Sequence, residues 1–449
     1  MGQTLCIDFG TSSIRAVVRD RFSDISVLDI GRVTNSETID SASIRSEVCI
    51  DADLQTVRFG ERAYEAIINN QKIAFHNASP KLWLKEPHLL DERVIPNLDI
   101  SRRDLITGLL AYALYAAAET GNWEAPVKPD VEDIRIAHPV WPDQIKLSAN
   151  RALRQIAWVA TSMATEGDWG IVDTDVLKSW TSPQTPDEGL PELVEKFDTL
   201  EPVAAAVELL PGITNRLMLC AVVDVGAGTT DIGIFQTKIV DENSRVASKL
   251  IPTGPTVSVF KAGNDIDSSL LKLMAERYPK EFKKNENDLR LRIRGLKENL
   301  FTQGKIRVEG IEISLKELEE VDEIKLMIKE IRNSFELAFI NAGSNIRSWL
   351  SSSKGTESHI TLAMAGGGAE ISFLVSELSK KIKIGGNEHP LRLLKPEPRN
   401  NYDLKGAGYS RMVVSLGGVS EMYESVIHEH TKLLAIPSLG RAKQIIKNW

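Results

Sequence analysis

Ile7-Asp8-Phe9-Gly10-Thr11-Ser12-Ser13 closes the first apolar run of the chain, and Val223-Asp224-Val225-Gly226-Ala227-Gly228-Thr229-Thr230-Asp231 closes a second. Leu5 to Ile7 and Ala221 to Val223 read as interior strands. A carboxylate at the end of each, Asp8 and Asp224, is expensive to desolvate unpaired, so something cationic or aqueous must lie between them. Each Asp is followed by Gly and then by hydroxyls, Thr11, Ser12 and Ser13 in one case and Thr229 and Thr230 in the other. Such a backbone turns sharply and points N–H groups and hydroxyls at an anion. The expected occupant is a polyphosphate with Mg²⁺, a cation that prefers oxygen ligands and keeps several waters, held by Asp8 and Asp224 facing each other across a cleft. One Asp-x-Gly turn alone reads as a plain hairpin; two copies on matching strands read as a duplicated phosphate grip.

Two other phosphate-binding patterns fail on spacing. Gly226-Ala227-Gly228 lacks the third Gly of a dinucleotide fingerprint, and Asp231 to Phe235 reads as strand where that fold needs a helix. GxxxxGK[ST] is missing, and Asp8-Phe9-Gly10 has no protein-kinase catalytic loop ahead of it. With 449 residues the chain exceeds one core, and 42% hydrophobic with 26% charged is ordinary globular usage. A formal charge of −8 argues against broad nucleic-acid binding.

Cys6, Cys49 and Cys220 lack metal spacing and cannot all pair, so reduced structural thiols and a cytoplasmic setting are expected. The start runs directly into a strand, without the pattern of a signal peptide. The longest apolar stretch, Leu105 to Ala118, is too short to span a bilayer; with Ser101 and Asp104 as a capping-box-like start it reads as a core helix.

Asp8-Phe9-Gly10-Thr11 and Asp224-Val225-Gly226-Ala227-Gly228-Thr229 resemble the two phosphate motifs of the actin, sugar-kinase and 70-kDa heat-shock ATPase superfamily. Leu200-Glu201-Pro202-Val203-Ala204-Ala205-Ala206-Val207 is similar to the EPTAAA helix of the heat-shock branch, and Ala262-Gly263-Asn264-Asp265-Ile266-Asp267 to its GGEDFD turn. Ala365-Gly366-Gly367-Gly368-Ala369 resembles the adenosine motif. Gly60 to Ala63, with Phe75 and Ser79-Pro80-Lys81, matches the first lobe more loosely. The resemblance covers roughly residues 4 to 410.

It implies an α/β, two-lobed actin-like ATPase fold: two ribonuclease-H-like lobes, a nucleotide cleft and inserted outer subdomains. Lobe I would take residues 1–210, with an outer subdomain near 31–130 and a long insertion near 160–200. Lobe II would take 211–410, with an insert near 264–355, and 411–449 would be a C-terminal helical segment. ATP or ADP with Mg²⁺ would be the cofactors. By the resemblance, Asp8, Glu201, Asp224 and Thr229 would be catalytic. Gly10, Thr11, Ser12, Ser13, Arg15, Gly226, Ala227, Gly228, Thr230, Lys297, Gly366, Gly367, Gly368, Ala369 and Glu370 would line the nucleotide.

Departures from the pattern carry their own expectations. The family's phosphate-contacting lysine after Gly60 reads as Tyr64, a neutral phenol. Arg15 is the favoured replacement, ahead of Lys81 and Arg62, and hydrolysis is expected to be slow or absent. Arg294 and Glu370 read as a sign-swapped pair at the base pocket.

Only about forty residues follow Gly408, too few for the peptide-binding domain of a chaperone. Trp169, Trp180 and the Pro-rich run from Ser182 to Pro191 in the insertion suit either a partner surface or a buried strut. The expected function is a chaperone-like, ATP-driven switch that binds a protein partner. An actin-like filament former, assembling with itself, is the alternative, and a small-molecule kinase is the third reading.

Overall fold

The central strand of each main sheet is one of the two apolar runs. The computed structural model describes residues 3–31, 41–51, 53, 55–69, 71–121, 131–182, 198–210, 218–242, 245–352, 360–384, 386–398, 402–404, 408–423 and 425–428. It is mixed α/β. The first sheet contains β1 (Gln3–Phe9), β2 (Ser13–Arg19), β3 (Ile25–Val27), β4 (Val131–His138) and β5 (Asp198–Leu200), in the order β5-β4-β1-β2-β3. The second contains β6 (Met218–Val225), β7 (Thr230–Glu242), β8 (Arg245–Pro252), β9 (Ile360–Ala365) and β10 (Leu391–Leu394), in the order β8-β7-β6-β9-β10. A short strand joins each sheet off this path, Ser43–Arg45 on β2 and Val257–Val259 on β7.

The two sheets share one connectivity. Three antiparallel strands form a meander, and two more add in parallel beyond its first strand. Parallel addition needs a long crossover, and long segments separate β3 from β4 and β8 from β9. The hairpin register repeats too: Asp8 stands opposite Arg15, and Asp224 opposite Asp231. Leu5, Cys6 and Ile7, like Leu219 to Val223, are fully buried, as strands covered on both faces require.

A four-stranded antiparallel sheet stands apart, ordered Ile73–Asn77, Val48–Asp51, Thr56–Phe59, Ile171–Asp173. Its last strand comes from the 160–200 stretch, so part of that insertion extends a sheet. Trp169 is buried there, donating its indole N–H to the Met163 carbonyl at 2.7 Å, and Trp180 packs edge-on against it at 5.9 Å. Trp169 is therefore a strut; residues 183–197, with most of the Pro-rich run, lie outside the described residues.

The helix Arg102–Gly121 beneath this sheet starts in a capping box, with Ser101 donating its N–H and hydroxyl to Asp104 at 2.7 and 2.8 Å. Between β8 and β9 lie α2 (Gly263–Arg277), α3 (Pro279–Gln303), the hairpin Lys305–Val308/Ile311–Ser314 and the helix Asp322–Ser352.

One apolar cluster joins the two main sheets. Cys6, Val17 and Ala137 from the first and Cys220, Val222, Phe235 and Ala363 from the second pack with α1 (Glu201–Leu209) and α4 (Tyr409–Gly418). These helices cross so closely that a Cβ on Gly417 would lie 1.9 Å from the Ala204 carbonyl oxygen. The end of α4 is tied to the first sheet. Arg19 donates to the Val419 carbonyl and Arg135 to the Gly418 carbonyl, both at 2.7 Å. From the expected 411–449 segment, residues 429–449, including Arg441, Lys443, Ile446, Lys447 and Trp449, lie outside the described residues. Cys6, Cys49 and Cys220 are buried and unpaired with one another. Among the described residues, no helix is long and apolar enough to cross a membrane.

Candidate functional site

Both hairpin turns are built by their glycines. Gly10 donates its N–H to the Asp8 carbonyl at 2.9 Å, and a Cβ at Gly10 would meet the Ser13 carbonyl oxygen at 2.3 Å. Gly226 donates to the Thr229 carbonyl at 3.0 Å. The turns come together, since a Cβ on Gly228 would lie 2.8 Å from Thr11 Oγ1. Thr11, Thr229 and Thr230 are buried, the last donating its hydroxyl to the Lys261 carbonyl at 2.7 Å. Ser12 and Ser13 are partly exposed.

The carboxylates at the strand ends form one electrostatic unit. Glu201 opens α1, with Pro202 following it in the first turn, a position Pro tolerates because that N–H has no helical partner. Glu201, Asp224 and Asp231 are buried, and Asp8 is half-buried. Burial first, then the charge of Glu201, raises the Asp8 carboxyl to about 6 against the pull of Lys81 and Arg15. Burial, followed by Glu201, Asp8 and Asp231, pushes Asp224 well above the carboxylate range, with Lys81 opposing. Asp231 is raised to about 7, chiefly by burial and then by Glu201, although the Val140 N–H donates to its Oδ1 at 3.0 Å.

Two buried cations face these four acids. Arg15 is buried within β2, opposite Asp8, and so lies on a strand and not on the first loop where the sequence reading put a relocated cation. The second is Lys81, ranked behind Arg15 in the sequence reading. It lies on the short 3-10 helix Pro80–Lys85, is 4% exposed and donates to Glu201 Oε1 at 2.6 Å. Tyr64 and Arg62 belong elsewhere: Arg45 stacks over the Tyr64 ring at 3.9 Å, and Arg62 pairs with Asp168 at 2.7 Å.

The remaining expected residues divide. Gly263 and Asn264 at the start of α2 donate to the Gly226 and Ala227 carbonyls at 3.1 and 2.7 Å, docking the second turn on that helix. Lys297 joins them, donating to the Gly263 carbonyl at 3.1 Å and pairing with Asp267 at 2.8 Å. Gly366 at the end of β9 has φ of 73°, and a Cβ there would meet the Val225 carbonyl oxygen at 2.4 Å and Asp224 Oδ1 at 2.5 Å. A side chain at this position would collide with the acid cluster. Gly367, Gly368, Ala369 and Glu370 form a 3-10 turn directly after it.

The expected Arg294–Glu370 pair does not form. Glu370 pairs with Arg411 at 3.5 Å. Arg294 reaches instead from α3 to the carbonyls of Ser12 at 3.2 Å and Ala78 at 2.6 Å, and to Glu47 at 3.6 Å. A long side chain on a helix face finds less exposed acceptors across the gap ahead of an exposed carboxylate on its own side. Arg45 and His76 also reach Glu47; burial raises its carboxyl, but the hydrogen bond from His76 and the charges of Arg294 and Arg45 outweigh it and hold the group below the ordinary value.

Among the described residues, no group of three or more His, Cys, Asp or Glu side chains is placed to hold a metal ion. Four acids crowd this desolvated pocket, where burial and the charge of Glu201 raise three of them, Asp8, Asp224 and Asp231, towards their protonated forms. That donor set suits a hydrated divalent cation met through its waters. The chain matches no protein-family model and no curated protein at a significant level.

Proposed function

We propose that this chain is a nucleotide-dependent switch on the two-lobed actin-like plan, binding Mg–ATP between the two main sheets and controlling a protein partner by closing around it. The observation that carries the reading is the duplicated hairpin. Asp8 and Asp224 occupy equivalent ends of equivalent strands, in sheets of the same connectivity, with the Gly turn after each brought against the other.

When bound, Mg²⁺ and the triphosphate would supply the positive charge and the scissile anhydride. Asp8 and Asp224 would receive the ion's waters, and the turn N–H groups, with Thr11 and Thr229, would take phosphate oxygens. Lys81, fixed by Glu201, offers a buried ammonium beside both aspartates, while Glu201 and Asp224 can orient and accept a proton from water. Gly366 leaves the backbone room beside Asp224, and Lys297 lies at the junction of the second turn and α2. Because both sheets contribute, the terminal phosphate can favour closure only by the difference in its contacts with closed and open states.

The experiment is sedimentation velocity with Mg²⁺ and, in turn, no nucleotide, ADP, ATP and a non-hydrolysable ATP analogue. A small species that compacts with triphosphate supports the switch. Polymers formed only with triphosphate favour a filament former, and no response to any nucleotide rejects the site.

A further inference from the structure

Lys85 is a second lysine on the helix that carries Lys81, and the reading above gives it no task. Its Nζ lies 3.5 Å from the Gly228 carbonyl oxygen and 3.8 Å from the centre of the Phe260 ring. The side chain thus enters the second glycine turn, capped by an aromatic face. Among the described residues it makes no ion pair. The charged groups facing it are Lys81 on its own helix, Asp231 on β7 and Asp265 on α2. Asp265 is engaged by Lys261 at 3.1 Å and by the Ala262 N–H at 3.0 Å, and Asp231 by the Val140 N–H. Lys85 is therefore a cation at the rim of an anion grip with only a neutral carbonyl and a ring as close partners.

We propose that Lys85 reads the terminal phosphate of a nucleoside triphosphate, leaving Phe260 and Gly228 to contact it and so separating triphosphate from diphosphate. The inference rests on the nucleotide reading above. Lys81 is committed to Glu201 and the acid cluster, so the extra charge of a third phosphate has Lys85 as its uncommitted partner on this helix. Charge-assisted contacts of this kind are the strong ones, and a lysine serves as a mobile point charge.

A titration signature accompanies the contact. Burial takes the Lys85 ammonium down to about 8 against the pull of Asp265 and Asp231, with Lys81 adding to the fall. A phosphate beside it reverses that balance, and the amine takes up a proton. Asp8, Asp224 and Asp231 have the opposite sign, since a bound cation drives their protons off.

The test is calorimetric titration of the full chain at about pH 8, in buffers of different ionisation enthalpy, with Mg²⁺ and either ADP or a non-hydrolysable ATP analogue. Wild type, Lys85→Arg and Lys85→Met are compared. Arg keeps the charge and does not titrate. Wild type should take up about half a proton more than Lys85→Arg on binding the triphosphate, as a group near its midpoint does. Lys85→Met should weaken triphosphate binding roughly tenfold and the diphosphate by less than about threefold.

Equal proton counts in wild type and Lys85→Arg, or equal losses on both nucleotides in Lys85→Met, overturn the role of Lys85. If Lys85→Met does not fold by circular dichroism, the Lys85→Arg proton count decides alone. Wild type binding neither nucleotide overturns the nucleotide reading itself, whatever the variants do.

Discussion

Replacing Asp231 by Asn should make the ligand-free protein more stable, by a margin that grows with pH. The Asp231 side chain is 1% exposed, and the nearby charge of Glu201 adds to its burial in raising the carboxyl from an ordinary 3.8 to about 7. A folded value above the unfolded one means stability that is fully present below about 3.8 and lost as pH rises towards 7. Between pH 5 and 7 the unfolded chain ionises this group while the folded protein holds the proton. At about 1.4 kcal/mol per pH unit, those two units give a difference of about 3 kcal/mol. Asn keeps an oxygen for the Val140 N–H and has nothing to ionise.

The advantage of Asp231→Asn over wild type should therefore widen by about 3 kcal/mol from about pH 5 to about pH 8. Urea unfolding of both proteins in chelator, followed by circular dichroism, measures it. A margin that stays flat or narrows would refute the crowded-carboxylate account.

Lys81→Met strands Glu201 without its buried partner and should destabilise the ligand-free protein by about 3–5 kcal/mol near pH 8, read from the same urea curves. It should also reduce Mg–ATP turnover more than Arg15→Ala does, and the reverse order in a phosphate-release assay would return the principal cation role to Arg15. Gly417→Ala pushes a methyl into the Ala204 carbonyl, a backbone atom that no rotamer change can move. A loss of about 1–3 kcal/mol in thermal or urea unfolding is expected, and an unchanged midpoint would mean that the helix crossing is looser than described.

What the sequence made legible is local. Asp-x-Gly followed by hydroxyls marks its hairpin turn within a few residues, and the buried runs at Leu5 and Leu219 mark central strands. Lys81 was harder to place because its partner Glu201 is 120 residues away, and a Pro-Lys-Leu-Trp-Leu-Lys stretch reads equally as a surface turn. Arg294 points the same way: position suggested a partner in Glu370, whereas geometry on α3 delivers the guanidinium to Ser12, Ala78 and Glu47. Periodicity in one segment carries no information about which distant carbonyl lies opposite.

The bond from Arg19 to Val419 spans 400 residues, and the pairing with Glu421 spans 402. During synthesis β2 leaves the ribosome about 400 residues ahead of the acceptors for its buried guanidinium. At roughly 5–20 residues per second, that interval is on the order of 20–80 s. For that time one face of the first sheet is uncovered, with Arg19 lacking its final carbonyl and Cys6, Val17 and Ala137 lacking α4. Truncation ahead of Tyr409, which removes α4, should therefore expose apolar surface on the first sheet, far in sequence from the cut.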